Sequence, residues 1–327
     1  MPFGILGLGS HLPDTVIDND DIAAWTGASP DWVVERTGVR TRRYAGEDTA
    51  TSELAELAVR DLLRGHTDSP ERIGLIVLAT CTPDQPQPAT AARMQSRLGL
   101  GPTASFDINA VCTGFLYGLD CARGMLESDP GLEQALVVGA DKFSSVMDRS
   151  DKRTVSLFGD GAGAALVGEV PEGYGIHTTA MTSDGSSADL VGVDAGGTAM
   201  PTTPRTADEG RDKLRMQGRE VRGWAMENVP KLVDDALERT GWDAGSVDRV
   251  VFHQANVRML EELCDAVGID ADKAPMTAPE YGNTAVASIP VTLHASHHAR
   301  PLRRGERVLL AAVGGGMTAG AVTLTWY

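Results

Sequence analysis

The most informative part of this chain is Asn109-Ala110-Val111-Cys112-Thr113-Gly114-Phe115. An apolar, strand-like segment comes before it, and an amphipathic helical pattern follows at residues 113–126. This order puts the Cys112 thiol at a strand-to-helix junction. Free backbone N–H groups and the helix dipole at a helix N-terminus favour a thiolate over a thiol. We therefore interpret Cys112 as a candidate nucleophile in an α/β fold.

Two later polar signals complete the parts of a site around Cys112. His253 lies in a Phe-His-Gln-Ala-Asn segment at 252–256, and Asn283 lies in a Tyr-Gly-Asn-Thr segment at 281–284. A thiol, an imidazole and a carboxamide are the groups of an activated acyl-transfer nucleophile. We expect the chain to form acyl-enzyme intermediates if the three side chains converge. The other cysteines, which are more often small buried hydrophobes than nucleophiles, are Cys81, Cys121 and Cys264.

Strand-like and helix-like segments alternate along the chain, which is typical of an α/β protein with buried sheets. The candidate strands are residues 75–79, 135–138, 164–167, 250–252, 308–312 and 321–325. Helical periodicity marks residues 51–64, 89–98, 113–126, 218–240 and 257–267. The same order of signals occurs twice, so we predict a duplicated fold with halves at 1–170 and 171–327.

Composition narrows the class of protein. The chain has 327 residues, of which 42% are hydrophobic, and this is enough to bury a large core. A net charge of −16 argues against a nucleic-acid partner. No apolar run approaches the roughly 20 residues needed to span a bilayer, and the N-terminus resembles a first strand more than a signal peptide. We expect no membrane partner, reduced thiols and a cytoplasmic location.

Two glycine clusters need separate interpretations. Gly159, Gly161 and Gly163 lead into a strand and lack the spacing of a dinucleotide-binding loop, so we expect them to allow tight backbone packing. In Gly314-Gly315-Gly316 the backbone can approach a ligand closely, and its N–H groups can face an oxyanion.

Taken together, these segments resemble the β-ketoacyl-acyl-carrier-protein synthase III family, the initiating ketosynthases of the thiolase superfamily. The resemblance runs through residues 31–39, 80–84, 110–115, 157–163, 253–256, 282–284 and 314–316. It implies a five-layer αβαβα thiolase fold built from two similar halves, and a homodimer.

The resemblance also implies a set of site residues. Cys112 is the acyl acceptor, His253 and Asn283 complete the catalytic site, and the backbone N–H groups of Cys112 and Gly315 form an oxyanion hole. The residues expected to bind coenzyme A or its pantetheine are Trp32, Arg36, Lys152, Gly218, Arg222 and Asn256. Coenzyme A thioesters are substrates, and neither a metal nor another cofactor is expected.

The implied reaction is a decarboxylating condensation. An acyl group passes from acyl-CoA to Cys112 and then joins a malonyl thioester, carried by acyl carrier protein or coenzyme A. The product would start a fatty acid or prime a specialised polyketide. Alternatives are transfer of the acyl group to a hydroxyl or an amine, a Cys-His-Asn thioester hydrolase, and a non-catalytic acyl-CoA-binding scaffold. The hydrolase lacks its expected Cys-Gly-Ser-Cys-Trp signature here.

Several positions depart from better-known family members. Gln87 stands where a bulky apolar residue often reaches across the dimer to shape the acyl pocket. Arg222 replaces a common aromatic residue, and Arg219 replaces a common Asn. Arg258 matches a basic residue that docks the acidic carrier protein, but acidic residues follow it at 261, 262 and 265. Like charges would weaken that docking, which favours delivery of the extender on coenzyme A instead.

Overall fold

Strands and helices alternate to build two stacked sheets. The computed structural model describes residues 1–65 and 70–327. The strands are β1 (Phe3–His11), β2 (Thr15–Asp18), β3 (Thr41–Tyr44), β4 (Ile73–Ala79), β5 (Ala104–Ile108), β6 (Gln134–Asp141), β7 (Gly161–Glu169), β8 (Gly175–Ser183), β9 (Val191–Val193), β10 (Leu214–Met216), β11 (Arg249–Phe252), β12 (Arg307–Gly314) and β13 (Thr318–Thr325). The helices are α1 (Asn19–Thr26), α2 (Pro30–Thr37), α3 (Thr51–Arg64), α4 (Thr90–Leu98), α5 (Gly114–Ser128), α6 (Lys152–Val155), α7 (Pro204–Asp208), α8 (Gly218–Thr240), α9 (Val257–Val267), α10 (Ala278–Tyr281) and α11 (Ser288–Ala299).

The two large sheets repeat one strand order. The first sheet runs β1-β7-β6-β4-β5, and the second, from the opposite end, runs β8-β13-β12-β11. In the first, β4 is parallel to β5 and β6, whereas β7 is antiparallel to β1 and β6. In the second, β11 is parallel to β12, and β13 is antiparallel to β12 and β8. All six candidate strands lie within these sheets, so those predictions are confirmed.

Helices cover and separate the two sheets. α3 and α4 pack on the outer face of the first sheet, and α8 and α9 pack on the outer face of the second. α5 and α11 lie between the sheets and contact both. The result is five alternating layers of helix and sheet. Among the described residues, no helix combines the length and apolarity needed to cross a bilayer.

The middle layer forms because α5 is apolar on the faces that meet the sheets. Phe115, Leu116, Leu119 and Ala122 are fully buried at spacings that bring them to these faces. Burying each large apolar side chain contributes roughly 1.5–3 kcal/mol. Because α5 begins directly after Cys112, this packing also fixes the position of the candidate nucleophile.

The first sheet meets the segment around α11 without room for a side chain. A methyl group on Gly139 would lie 2.7 Å from the carbonyl oxygen of Val286, and one on Gly163 would lie 2.7 Å from Pro290. Real Cβ atoms do not approach so closely, so glycine is required at both positions. A methyl group on Gly159 would lie 2.6 Å from the Tyr281 carbonyl oxygen. The predicted packing role of this first glycine cluster is confirmed.

Candidate active site

A cavity of about 1030 Å³ opens between loops that follow the carboxyl ends of strands from both sheets. Cys112, His253 and Asn283 all line it, as do Gly314 and Gly315. The chain therefore brings a thiol, an imidazole and a carboxamide to one cavity, although 140 residues lie between Cys112 and His253.

Cys112 lies in a short 3-10 turn, Val111–Thr113, that joins β5 to α5. Val111 has a φ of +48°, a left-handed conformation that costs a non-glycine residue about 1–3 kcal/mol. The Thr113 hydroxyl donates to the Ala110 carbonyl oxygen at 2.6 Å. A methyl group on Gly314 would lie only 2.9 Å from the Cys112 backbone nitrogen. The turn is thus strained and closely packed, which fixes the direction of the thiol.

The charge state of Cys112 differs from the expectation. The helix N-terminus was expected to favour the thiolate, but burial raises the pKa of the Cys112 thiol, and the nearby Asp141 carboxylate raises it further. Cys112 is only 7% exposed as a residue, so little water can reach the thiol to stabilise its anion. The Cys112 thiol is therefore protonated near neutral pH, and it would have to lose its proton to act as a nucleophile.

His253 follows β11 directly, and its backbone N–H donates to the Ala311 carbonyl oxygen at 2.8 Å. Its Nδ1 lies 2.6 Å from the Ser288 hydroxyl oxygen, which accepts the Gln254 backbone N–H at 3.4 Å. The Ser288 hydroxyl can donate to Nδ1 or accept from it, and we assign it as the donor, which puts the ring proton on Nε2. Burial lowers the His253 pKa to about 4. The imidazole is thus neutral near pH 7, with Nε2 as a hydrogen-bond donor.

Asn283 is fixed by its backbone and by its side chain. Its N–H donates to the Leu157 carbonyl oxygen at 2.8 Å, and its carbonyl accepts the Gly159 N–H at 2.9 Å. Its side-chain Oδ1 accepts the Ala285 N–H at 2.9 Å. With Oδ1 engaged, the Nδ2 amide is the end available as a donor to a ligand.

Most residues expected to bind coenzyme A line the same cavity. They are Trp32, Arg36, Gly218, Arg222 and Asn256. Lys152 is not part of the lining described, but its Nζ lies 4.8 Å from the centre of the Trp32 ring. The Asn256 amide joins two helices, because Oδ1 accepts the Arg258 N–H at 2.9 Å and Nδ2 donates to the Arg36 carbonyl oxygen at 3.2 Å.

Two of the arginines that line the cavity are paired with acidic neighbours, whereas Arg36, Arg153 and Arg219, which also line it, form no ion pair within the described residues. Arg258 pairs with Glu261 at 3.3 Å, and Arg222 pairs with Glu262. The loop before α8 is similar, with ion pairs from Arg205, Arg211, Lys213 and Arg215 to acidic neighbours. Gln87 is exposed and does not line the cavity of this chain. Its role in shaping the acyl pocket of a partner subunit stays a prediction.

An apolar pocket surrounds the thiol. Phe143 and Phe158 stack with ring centres 4.5 Å apart, and both line the cavity beside Cys112. Further lining residues of this apolar cluster are Cys81, Val111, Val146, Leu157, Val191, Leu214 and Met216. Such a pocket suits a short acyl chain. Cys81, interpreted from sequence as a core residue, is part of this wall.

Sequence reasoning did not single out Ser288 or Asp141. No local signal marks Ser288, because its partner His253 is distant in sequence. Asp141 does carry a local signal, because it is an acidic residue at the carboxyl end of a buried and largely apolar strand. All four cysteines are free.

Comparison with known proteins identifies the family. The model of 3-oxoacyl-[acyl-carrier-protein (ACP)] synthase III matches residues 106–185, and the model of its C-terminal part matches residues 237–326. The chain is 41% identical over 326 residues to acetoacetyl CoA synthase NphT7 of Streptomyces sp. (strain CL190), covering 99% of this chain and 98% of the relative. It is 40% identical over 324 residues to beta-ketoacyl-[acyl-carrier-protein] synthase III 3 of Streptomyces coelicolor, covering 98% and 96%.

Solved structures similar to this chain support the same family. The 3-oxoacyl-[acyl-carrier-protein] synthase III from Aquifex aeolicus VF5 is 36% identical, with a TM-score of 0.91 over 99% of this chain and 100% of that one. The priming β-ketosynthase of the R1128 polyketide biosynthetic pathway is 28% identical, with a TM-score of 0.91 over 99% and 96%. The resemblance and the fold inferred from sequence are confirmed: the chain belongs to the β-ketoacyl-acyl-carrier-protein synthase III family and has its five-layer thiolase fold.

Proposed function

We propose that this acyltransferase loads a short acyl group from acyl-CoA onto Cys112 and condenses it with a malonyl thioester. One observation carries the proposal: Cys112, His253 and Asn283 line a single cavity, and the latter two are arranged as neutral donors. A hydrolase needs an ordered water and a base to activate it. Burial instead lowers the pKa of His253 to about 4, so its imidazole is a weak base.

Loading forms one thioester and breaks another. The Cys112 sulfur attacks the acyl-CoA carbonyl carbon, the coenzyme A sulfur leaves, and the proton of the thiol is transferred to it. The carbonyl oxygen carries negative charge in between, and N–H groups of Cys112 and Gly315 would stabilise it. One such donor is worth about 3–4 kcal/mol in catalysis.

Condensation uses the two neutral donors. A malonyl thioester loses carbon dioxide, and the electron pair of the broken C–C bond becomes an enolate. Its oxygen would accept hydrogen bonds from His253 Nε2 and Asn283 Nδ2. The enolate carbon then attacks the acyl-Cys112 carbonyl, and the Cys112 thiolate leaves and takes a proton from solvent. Donors that stay neutral suit this step, because they stabilise an anion without protonating it.

The ion pairs of Arg258 and Arg222 favour an extender on coenzyme A. Carrier proteins are acidic, and docking them requires free cations. Arg258 and Arg222 are already paired with Glu261 and Glu262. The name of one relative, acetoacetyl CoA synthase, describes a product on coenzyme A and agrees with this choice. Malonyl-carrier protein is the second candidate.

A homodimer completes the proposal. β5 is the edge strand of the first sheet, and its side chains, including Phe106 and Ile108, are half-buried. An open strand edge with apolar side chains is a template for pairing, and a second copy would cover it across a twofold axis. We keep 1–170 and 171–327 as the two halves, and expect a cytoplasmic enzyme because coenzyme A thioesters are its substrates.

Intact mass tests the loading step. Wild type and Cys112→Ala are incubated with a panel of acyl-CoAs, and an adduct on wild type alone supports the acyl-enzyme and names the preferred primer. Malonyl-CoA or malonyl-carrier protein is then added, and carbon dioxide release with a β-keto product supports condensation. Free acid as the product would indicate a hydrolase, and an ester or amide without carbon dioxide would indicate simple transfer. No adduct with any acyl-CoA would overturn the coenzyme A-primed reaction.

A further inference from the structure

Asp141 is a buried carboxylate that the reaction above does not use. It ends β6 and is completely inaccessible to solvent. Within the described residues no cation forms an ion pair with it. The neighbouring Lys142 ammonium points elsewhere and donates to the carbonyl oxygens of Gly46, Glu47 and Thr49 at 2.8–2.9 Å. A buried, unpaired carboxylate is costly, so it must be held by neutral donors.

One oxygen of Asp141 accepts hydrogen bonds from the segment that follows β4. Oδ1 accepts the backbone N–H groups of Cys81 at 2.9 Å and Thr82 at 3.1 Å. It also accepts the hydroxyl groups of Thr82 at 2.8 Å and Thr80 at 3.0 Å. Cys81 and Thr82 line the cavity, so this oxygen fixes part of its wall.

The other oxygen holds the segment that follows Asn283. Oδ2 accepts the Val286 N–H at 3.2 Å. The preceding residue, Ala285, has a φ of +49°, an unfavourable conformation for alanine, and its N–H holds the Asn283 side-chain oxygen. Release of Val286 would let this turn relax, and the Asn283 carboxamide would lose its orientation. A path of two hydrogen bonds thus joins Asp141 to the amide donor in the cavity.

We propose that Asp141 is a positioning residue for the condensing step, holding the strained 284–286 turn so that the Asn283 amide faces the enolate oxygen. The inference rests on the proposed function, because it needs a decarboxylating step. It also predicts selectivity between the two half-reactions. In Asp141→Asn the side-chain oxygen can stay with the 80–82 donors, including Cys81 Sγ, which lies 3.4 Å from both carboxylate oxygens. The new NH₂ meets the Val286 N–H, so among the backbone donors only Val286 loses its acceptor.

The test measures the half-reactions separately. Single-turnover acylation of Cys112 is followed by intact mass, and carbon dioxide release from malonyl-CoA is followed on the pre-acylated enzyme. In Asp141→Asn we expect carbon dioxide release to fall about 10-fold to 100-fold, the effect of a misplaced group. Acylation should not fall, because loss of the negative charge at residue 141 lowers the pKa of the Cys112 thiol. A general structural defect would lower both. Equal losses, or no loss, would overturn the proposal.

Ala285→Gly provides a rescue. Glycine adopts the left-handed conformation without strain, so the turn no longer needs to be held. We expect Asp141→Asn with Ala285→Gly to recover carbon dioxide release several-fold over Asp141→Asn alone, and absence of recovery would contradict the role of the turn. If Asp141→Asn does not fold, Thr80→Val replaces it, because loss of this hydroxyl loosens the whole Asp141 carboxylate. We then expect a smaller loss of carbon dioxide release that Ala285→Gly recovers, and a loss without that recovery would overturn the proposal. If wild type itself releases no carbon dioxide, the proposed function fails, and not merely the role of Asp141.

Discussion

Ser288→Ala removes the hydroxyl group that holds the candidate catalytic histidine. In the folded chain this oxygen lies 2.6 Å from His253 Nδ1 and accepts the Gln254 N–H at 3.4 Å. Both partners are buried, and leaving a buried polar group unpaired costs about 1–3 kcal/mol of stability. Without the donor at Nδ1 the ring proton is no longer fixed on Nε2. Loss of a whole oxyanion donor lowers kcat about 100-fold to 1000-fold. In Ser288→Ala the His253 ring carries its proton on Nε2 for only part of the time, so the donor is weakened and not lost, and decarboxylation should fall about 10-fold to 100-fold.

The assay for Ser288→Ala combines carbon dioxide release from malonyl-CoA with urea unfolding. Ser296→Ala is the matched control, because Ser296 lies on the same helix, is also buried, and accepts from Arg249 at 3.2 Å away from the cavity. We expect both variants to lose stability and only Ser288→Ala to lose decarboxylation. A rate within about 2-fold of wild type for Ser288→Ala, with the expected stability loss, would refute the assignment of the His253 ring proton to Nε2.

Asn283→Asp replaces a neutral donor with an acceptor, so condensation should fall at least about 100-fold while the acyl adduct on Cys112 still forms; an active condensing variant would contradict the donor role. Because burial lowers the His253 pKa to about 4, the unfolded chain takes up a proton that the folded chain does not between about pH 6.5 and 4. Stability should therefore fall as pH drops through that range, by up to about 3 kcal/mol from this group, and the fall should be smaller in His253→Gln by urea unfolding. Replacing Glu261 and Glu262 together by Gln frees the arginines at the mouth. This variant should lower KM for malonyl-carrier protein several-fold at low salt, and an unchanged KM would contradict the charge argument.

The long elements could be predicted because their patterns are local. α3, α5, α8 and α9 carry apolar residues at helical spacing, and the central strands of both sheets, such as β4, β6, β7 and β12, are short apolar runs buried on two faces. β8 was missed because threonines interrupt its apolar pattern. β9 and β10 were missed because three residues are too few to show a period.

The part of the site that could be predicted consists of residues whose type and immediate sequence neighbours indicate a chemical role. Cys112, His253 and Asn283 stand in distinctive segments, whereas Ser288 and Asp141 act through contacts that only the fold creates. The raised pKa of Cys112 was missed for a similar reason. A helix start is visible in the sequence, but the burial of the thiol and the approach of a carboxylate from β6 are not.

Gly139 and Gly163 limit how this enzyme can adapt to another primer. With no space for a methyl group between the first sheet and the segment around α11, the layers cannot move apart to admit a longer chain. Additional length must come from smaller side chains on the pocket wall, such as those replacing Phe143 or Leu157. Changes of primer can therefore arise by substitution at a few wall positions, while the interior that carries the three polar groups stays the same.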